Sequence, residues 1–336
     1  HGPTPRDVVR ELGDIFGRPE TIPDWAFGPW MGIQGGQQAV LDEADALDAA
    51  MIPYTALWAQ DWTGLRAFVA NLIGVNYRWV PDTSHYPDLA GLTDTLHARG
   101  KRFLGYANPF VMMNLDHWAD MSSMDLLIGA PGGGPYVFST PAGEGSLPDL
   151  TNPLARAYVT SAFTDMVDVY GMDGWMCDFG EWLPTDAVLS DGSSPVAGHQ
   201  TYPNAWHDLC RTVADERTGG DYATFSRSGW LGAQGTTQIA WIGDQEADDS
   251  LTDGLPTVVP ALLSLGLSGV PFVTHDIAGF SGGPRTKTLF MRWTELGAFT
   301  TVMRTHEGLM RATNWDWHDD AETEAHFRRF ARIHEA

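Results

Sequence analysis

The sequence has little of what marks several common classes of protein. Its only cysteines are Cys177 and Cys210, so a framework of disulfide bonds is not expected to support the fold. Cys177 lies in an apolar segment, which favours a buried free thiol over a bridge or a metal ligand. No stretch of 18 or more residues is free of charged and polar groups, so no transmembrane helix is expected.

Positive charge is also scarce. Lysine and arginine together number 20 against 43 aspartates and glutamates, which gives a formal net charge of −23. Such a surface repels nucleic acids and anionic membranes, so we expect neither as a partner. The N-terminal residues contain neither an initiator methionine nor a signal-peptide pattern, which favours the cytoplasm over secretion and suggests a piece of a larger enzyme.

Short apolar segments alternate with segments of helical periodicity along the chain. Eight such alternations predict a parallel (β/α)8 TIM barrel that forms one domain over residues 1–336. The Gly- and Pro-rich residues 129–148 are predicted to form a long surface loop. Helices are predicted at residues 38–50, 89–99, 154–170, 257–265, 287–295 and 322–333. Strands are predicted at residues 30–34, 54–58, 102–106, 174–178, 222–226, 238–242, 270–274 and 298–303.

Polar residues follow the ends of the predicted strands, on the face where barrels build their active sites. The set is acid-rich, without a phosphate-binding Gly-rich loop, a nucleophilic serine motif or a His-rich metal set, so no cofactor and no metal are expected. Two carboxylates across a pocket suit glycoside hydrolysis, and the expected partner is a small carbohydrate. The residues are Gln34, Asp61, Asp178, Arg227, Asp244, Asp276 and His306.

One segment at these strand ends has a distinctive sequence. Residues 171–186, GMDGWMCDFGEWLPTD, resemble the nucleophile strand of glycoside hydrolase family 31, nearest to the branch that contains bacterial sulfoquinovosidases. The resemblance implies the barrel of a retaining α-glycosidase without the family's accessory β-domains. Further segments match the family in the same order: WAQDW at 58–62, WIGDQ at 241–245, HDIAGF at 275–280 and MRTHEG at 303–308.

The resemblance also implies roles for single residues. Asp178 would be the nucleophile and Asp244 the general acid/base, although an aspartate at a strand end can instead cap the following helix. Glu181 and Asp186, which follow closely, are interpreted as loop and cap residues. The resemblance gives substrate contacts to Arg227, Asp276 and His306 at sugar hydroxyls, to Asp61 deeper in the pocket and to Trp241 on its wall. Arg227 and Asp276 could instead form structural ion pairs, and His306 could be a core histidine.

The sulfonate-binding residues of that branch are only partly present. The branch uses two glutamines, an arginine, a tryptophan and a tyrosine. Gln34 and Gln60 match the glutamines, whereas Gly74, Tyr77 and Phe280 stand at the arginine, tryptophan and tyrosine positions. A glycine and a phenylalanine cannot offset the cost of desolvating a sulfonate.

The sequence therefore predicts an exo-acting retaining α-glycosidase for a terminal neutral sugar, with an α-glucoside as the expected substrate. One alternative is an α-sulfoquinovosidase in which a loop shift brings Arg78 and Trp79 into the sulfonate site. The other alternative is a catalytically inactive sugar-binding barrel, against which the presence of both Asp178 and Asp244 counts.

Overall fold

The polypeptide is organised around a parallel β-sheet. The computed structural model describes residues 2–67 and 72–336. The strands are β1 (Trp30–Gly32), β2 (Ala56–Trp58), β3 (Leu65–Ala67), β4 (Ile73–Val75), β5 (Arg102–Ala107), β6 (Val111–Met112), β7 (Phe138–Thr140), β8 (Gly143–Ser146), β9 (Gly174–Cys177), β10 (Ala223–Ser226), β11 (Ile239–Trp241) and β12 (Val273–Thr274).

The central sheet has the order β1-β2-β5-β9-β10-β11-β12, and its neighbouring strands are parallel. Each strand therefore pairs with the next one along the chain once the antiparallel insertions are set aside, as the TIM-barrel prediction requires. The carboxyl ends of these strands meet at one end of the sheet.

Residues 302–305 close the sheet into a barrel. The Trp30 N–H donates to the carbonyl of Met303 at 2.8 Å, and the Thr305 N–H donates to the carbonyl of Trp30 at 3.0 Å. On the other side, the Val302 N–H donates to Val273 at 3.3 Å. The eighth barrel position is thus formed by isolated bridges. The predicted eighth strand at 298–303 was placed too early, because the preceding helix extends to Gly297 and Phe299 is exposed.

Helices cover the outside of the barrel. Six of those described have bounds close to the predicted ones, whereas the helices Pro5–Phe16, Trp118–Ser123 and Pro195–Thr218 were not predicted. Several of the helices begin with a capping side chain. The Asn152 amide oxygen accepts from the Leu154 N–H at 2.9 Å, and the side chains of Thr286 and Asp320 cap two later helices. The helices are α1 (Pro5–Phe16), α2 (Gln37–Ala49), α3 (Leu89–Ala98), α4 (Trp118–Ser123), α5 (Pro153–Asp168), α6 (Pro195–Thr218), α7 (Val258–Leu267), α8 (Lys287–Gly297) and α9 (Ala321–Glu335).

Two antiparallel insertions rise from the carboxyl end of the barrel. Strands β3 and β4 form a hairpin after β2, and β6, β8 and β7 form a three-stranded sheet after β5. The prediction of a surface loop at 129–148 was therefore wrong for β7 and β8. This Gly-rich segment is ordered by backbone pairing of β8 with Val111 and Met112 of β6, which lie much earlier in the sequence.

Most of the tryptophan side chains serve the core. Both cysteines are free and buried, as predicted for Cys177. Within the described ranges, no helix is both long and apolar enough to cross a membrane. The fully buried tryptophans are Trp30, Trp58, Trp62, Trp175, Trp206 and Trp293.

Candidate active site

Asp178 follows β9 directly and lies at the carboxyl end of the barrel. The chain turns sharply after it, because Phe179 has a φ of 60° and Gly180 a φ of 107°. The Tyr106 hydroxyl donates to Oδ2 of Asp178 at 2.7 Å, and the Phe179 N–H donates to Oδ1 at 2.9 Å. The Trp206 indole also donates to the backbone carbonyl of Asp178 at 3.2 Å. The carboxylate is therefore held in one orientation.

Charge and burial act on Asp178 in opposite directions. Burial raises the pKa of its carboxyl, whereas the Arg227 guanidinium and the hydrogen bonds from Tyr106 and Phe179 oppose that rise. Nε of Arg227 lies 3.4 Å from Oδ1 of Asp178. An opposite charge at this distance favours the ionised form, which is the form a nucleophile needs.

Asp244 lies in the loop after β11 and is in a different electrostatic environment. Its side chain is 41% exposed, and Nη1 of Arg227 lies 3.6 Å from its Oδ2. Desolvation by the surrounding walls, followed by the negative charges of Asp178 and Asp276, raises the pKa of Asp244 to about 8. A carboxyl group with such a pKa is protonated at neutral pH and can donate a proton.

Arg227 follows β10 and joins the two aspartates. Besides contacting Asp178 and Asp244, it pairs with Glu181, and its guanidinium carbon lies 3.9 Å from the centre of the Phe179 ring. The structural ion pair considered for Arg227 is thus present, with Asp178 and Glu181 as partners. Glu181, interpreted from sequence as a loop residue, belongs to this cluster.

A cavity of about 500 Å³ opens above these side chains. This volume is within the range typical of small-molecule sites. Its wall also contains aromatic rings and two amide side chains, which suit the faces and hydroxyls of a sugar. The predicted site residues that line the cavity are Gln34, Gln60, Asp178, Arg227, Trp241, Asp244 and Phe280.

The other predicted substrate contacts do not line this cavity. Asp61 is fully buried, and its carboxylate accepts from the backbone N–H groups of Gly35 and Gly36, from the Tyr86 hydroxyl and through a 2.7 Å contact with His85. Burial alone would raise the pKa of Asp61, but the hydrogen bonds from His85, Tyr86 and Gly35 outweigh it and lower that pKa.

Asp276 and His306 also lie below the cavity wall. Asp276 forms a fully buried ion pair with Arg304, not with Arg227. Nδ1 of His306 accepts from the Gly308 N–H at 2.7 Å, and its ring packs edge-on against Trp58 and Phe280. Burial and the Arg304 charge lower the pKa of His306 well below its ordinary value, so the ring is neutral.

The cavity wall contains polar residues that the sequence analysis did not single out as site residues. Tyr106, at the end of β5, could have been found by the strand-end argument applied to the other residues. Arg66 could not, because it lies on the β3–β4 hairpin, outside the barrel strands. Arg311 lies in a loop after the last barrel segment. These residues, Arg66, Tyr106 and Arg311, line the cavity together with Tyr77.

Arg78 and Trp79 are not placed as the rearranged sulfonate site requires. Nε of Arg78 pairs with Oδ2 of Asp116 at 2.7 Å, and the Trp79 indole donates to the carbonyl of Asn108 at 2.8 Å. Neither side chain lines the cavity. Gly74 and Phe280 do line it.

The chemistry available to this arrangement is proton transfer and nucleophilic attack. Burial raises the pKa of both carboxyl groups, to about 8 for Asp244, while the Arg227 guanidinium 3.4 Å from Asp178 favours the ionised form of that carboxyl. Two carboxyl groups in different surroundings at one cavity can serve as nucleophile and acid. Within residues 2–67 and 72–336, no three His, Cys, Asp or Glu side chains are grouped so as to hold a metal ion.

Comparison with known proteins gives one consistent match. The family model described as "Glycosyl hydrolases family 31 TIM-barrel domain" matches residues 19–335. A sulfoquinovosidase of Escherichia coli K12 is 36% identical over 97% of this chain, and one of Agrobacterium fabrum is 34% identical over 98%. The chain spans about half the length of these relatives, 49% and 50% respectively.

A solved structure has the same architecture. A family 31 sulfoquinovosidase from E. rectale, in complex with an aza-sugar inhibitor, superposes with a TM-score of 0.92 at 33% identity. The alignment covers 99% of this chain and 50% of that one.

Proposed function

We propose, since the chain belongs to glycosyl hydrolase family 31, that it is an exo-acting retaining α-glycosidase that uses Asp178 as nucleophile and Asp244 as general acid/base. The observation that carries this proposal is the single guanidinium of Arg227, which contacts both carboxyl groups at one cavity. The guanidinium favours the ionised form of Asp178, which can attack, and burial raises the pKa of Asp244 to about 8, so that Asp244 can donate a proton.

The proposed reaction has two displacements. In the first, an oxygen of Asp178 attacks the anomeric carbon while the Asp244 carboxyl protonates the departing glycosidic oxygen, giving a covalent glycosyl–enzyme and a free alcohol. In the second, the Asp244 carboxylate takes a proton from water while the water oxygen attacks the anomeric carbon, the bond from that carbon to Asp178 breaks, and the sugar leaves with retained configuration. Arg227 stabilises the Asp178 carboxylate as it departs.

Two terminal sugars remain candidates. A neutral α-glucoside is favoured by Phe280, which cannot donate a hydrogen bond, and by Gln34 and Gln60, which can bind an uncharged hydroxyl. An α-sulfoquinovoside is favoured by Arg66, which brings a guanidinium to the wall beside Gly74. A sugar-binding barrel without activity would not require two aspartates that contact one guanidinium at the cavity.

Covalent labelling tests the assignment of the nucleophile. We expect a cyclitol epoxide of α-gluco configuration to add one label to the protein, with mass spectrometry locating it on the peptide that contains Asp178. NMR of the first product from an aryl α-glucoside should show the α-anomer. Labelling of another carboxylate in active protein, or the β-anomer as first product, would refute the proposal.

A further inference from the structure

The β3–β4 hairpin holds an arginine over a glycine. Arg66 and Gly74 are directly opposite each other in the antiparallel pair, and Nε of Arg66 donates to the carbonyl of Val75 at 3.0 Å. A Cβ added to Gly74 would lie 3.2 Å from the guanidinium carbon of Arg66. Gly74 therefore leaves the space through which the arginine side chain crosses the hairpin.

The crossing brings the guanidinium to the wall of the candidate active site. Its carbon lies 5.6 Å from the centre of the Tyr77 ring, and the Tyr77 and Tyr106 ring centres are 6.4 Å apart. Tyr106 in turn donates to Asp178. Arg66 is thus connected to the nucleophile through two tyrosines, in the same cavity as Gln34 and Gln60.

The charge of the wall is opposite in sign to that of the whole protein. The chain has a formal charge of −23, yet the described residues that line the cavity include Arg66, Arg227 and Arg311 against Asp178 and Asp244. With Asp244 protonated, its state at neutral pH, the carboxylate of Asp178 is the single negative charge in that set. Glu181 pairs with Arg227, and Glu307 lies 3.7 Å from Arg311, but neither glutamate lines the cavity. A cavity of this kind attracts anions more strongly than the surrounding surface does.

We infer that Arg66 is a specificity-determining residue that binds an acidic group, a carboxylate or a sulfonate, on the terminal sugar of the substrate. The inference rests on the proposed glycosidase function and identifies the substrate class for it. The guanidinium reaches the cavity from position 66, across the hairpin, and so replaces the charge that Gly74 cannot supply. A charge-assisted hydrogen bond to Arg66 would offset part of the cost of desolvating the acid.

Three aryl α-glycosides with one leaving group test the inference: the α-glucoside, the α-glucuronide and the α-sulfoquinovoside. The last two carry their acid on the exocyclic carbon, which leaves the ring unchanged. We expect at least one acidic sugar to have a kcat/KM more than about tenfold above that of the glucoside. The ratio between the two acidic substrates distinguishes a carboxylate from a sulfonate as the bound group.

Substitution of Arg66 provides the matched measurement. Arg66→Gln should reduce kcat/KM for the preferred acidic sugar about ten- to hundredfold more than for the glucoside, because it removes a hydrogen bond to a charged group. Arg66→Lys should restore part of the loss, since the ammonium keeps the charge without the planar fork. Arg78→Gln serves as control: Arg78 is on the same side of the barrel but pairs with Asp116 outside the cavity, so all three substrates should keep their wild-type values.

The outcomes separate the two claims. If the wild type prefers the glucoside, or if Arg66→Gln lowers all three kcat/KM values equally, the inference about Arg66 is wrong. In either case labelling at Asp178 would leave the proposed glycosidase function intact. If none of the three glycosides is cleaved and Asp178 is not labelled, the proposed function fails, and the inference that rests on it falls with it.

Discussion

Two sets of charged residues follow the barrel strands, and they differ in depth. The upper set, Asp178, Arg227 and Asp244, lines the cavity. The lower set comprises Asp61 and the Asp276–Arg304 pair, which are fully buried and do not line it. Both sets have the same residue types at equivalent sequence positions. Residue type and position alone therefore do not distinguish candidate catalytic residues from residues that stabilise the fold.

The difference lies in whether each side chain reaches the cavity. Asp61 is fully buried with protein partners at both oxygens, and Asp276 is fully buried and paired through Oδ1 with an arginine that lies 4.8 Å from the ring centres of Trp58 and Phe225, while its Oδ2 has no hydrogen-bond partner among the described residues. Asp244 instead keeps 41% of its side chain exposed, with one guanidinium nearby. We infer that the lower set fixes the ends of the strands, while the upper set retains capacity for substrate.

The largest expected effect is on the upper set. Asp178→Asn should lower kcat by at least about 10⁴-fold, because the amide cannot attack the anomeric carbon. Its free energy of unfolding should stay within about 1 kcal/mol of wild type, since the amide oxygen can still accept from the Phe179 N–H while the amide N–H donates to the Tyr106 hydroxyl. The control is Asp186→Asn, an exposed aspartate of the same loop that accepts from Tyr136. Equal activity of the two variants would remove Asp178 from the mechanism.

The lower set should show the opposite pattern, a loss of stability. Arg304→Met leaves Asp276 buried without its partner, which should reduce the free energy of unfolding by about 3–5 kcal/mol in urea titrations. Arg292→Met, which breaks an exposed pair with Asp249, is the control and should cost less than about 1 kcal/mol. Similar losses in both variants would contradict the buried pair's structural role.

Much of the barrel could be predicted from sequence because its signals are local. Apolar runs of strand length alternate with helical periodicity, and capping residues such as Asn152 and Thr286 mark helix starts. The insertions and the eighth barrel position could not be predicted in the same way. Residues 302–305 are ordered by single bridges to β1 and β12. Strand β8, a Gly-Glu-Gly-Ser segment, is ordered by pairing with β7 just before it and with β6, which lies much earlier in the chain.

The candidate site could likewise be predicted only in part. Their positions at strand ends identified Asp178, Arg227 and Asp244 as candidate site residues, and all three line the cavity. Which strand-end residues are buried below the cavity was not predictable. Asp61 is buried there because it accepts hydrogen bonds from backbone N–H groups at the end of a neighbouring strand, and no local sequence pattern indicates such contacts. The place of Arg66 at the cavity could not be predicted because it depends on pairing with Gly74 across a hairpin. From sequence, Gly74 was therefore interpreted as the loss of a positive charge.

The smallest expected effect is a pH dependence that comes from the upper set. Asp244 acts first as an acid and must be protonated in the free enzyme. Because desolvation and the charges of Asp178 and Asp276 raise its pKa to about 8, we expect the wild-type kcat/KM to be level up to about one pH unit below that value and to reach half its maximum near it. Above that pH the acid ionises, and kcat/KM for a substrate with a poor leaving group should fall about tenfold per pH unit.

The control for this pH profile is Asp244→Ala, measured on two substrates. With a poor leaving group, such as an alkyl glycoside, the variant should lose about 10²–10⁴-fold in kcat/KM, since the departing oxygen then has no proton donor. With a 2,4-dinitrophenyl leaving group, which departs as an anion, the first displacement should be little affected and the basic limb should disappear. A basic limb that persists in Asp244→Ala would assign it to another group, and Glu307, whose pKa burial also raises to about 8, would be the next carboxyl to test. Glu307 does not line the cavity, and the Arg311 guanidinium beside it opposes the rise in its pKa, so Asp244 is the expected source of the limb. If Glu307 were the source, the basic limb would be absent in Glu307→Gln and present in Asp244→Ala.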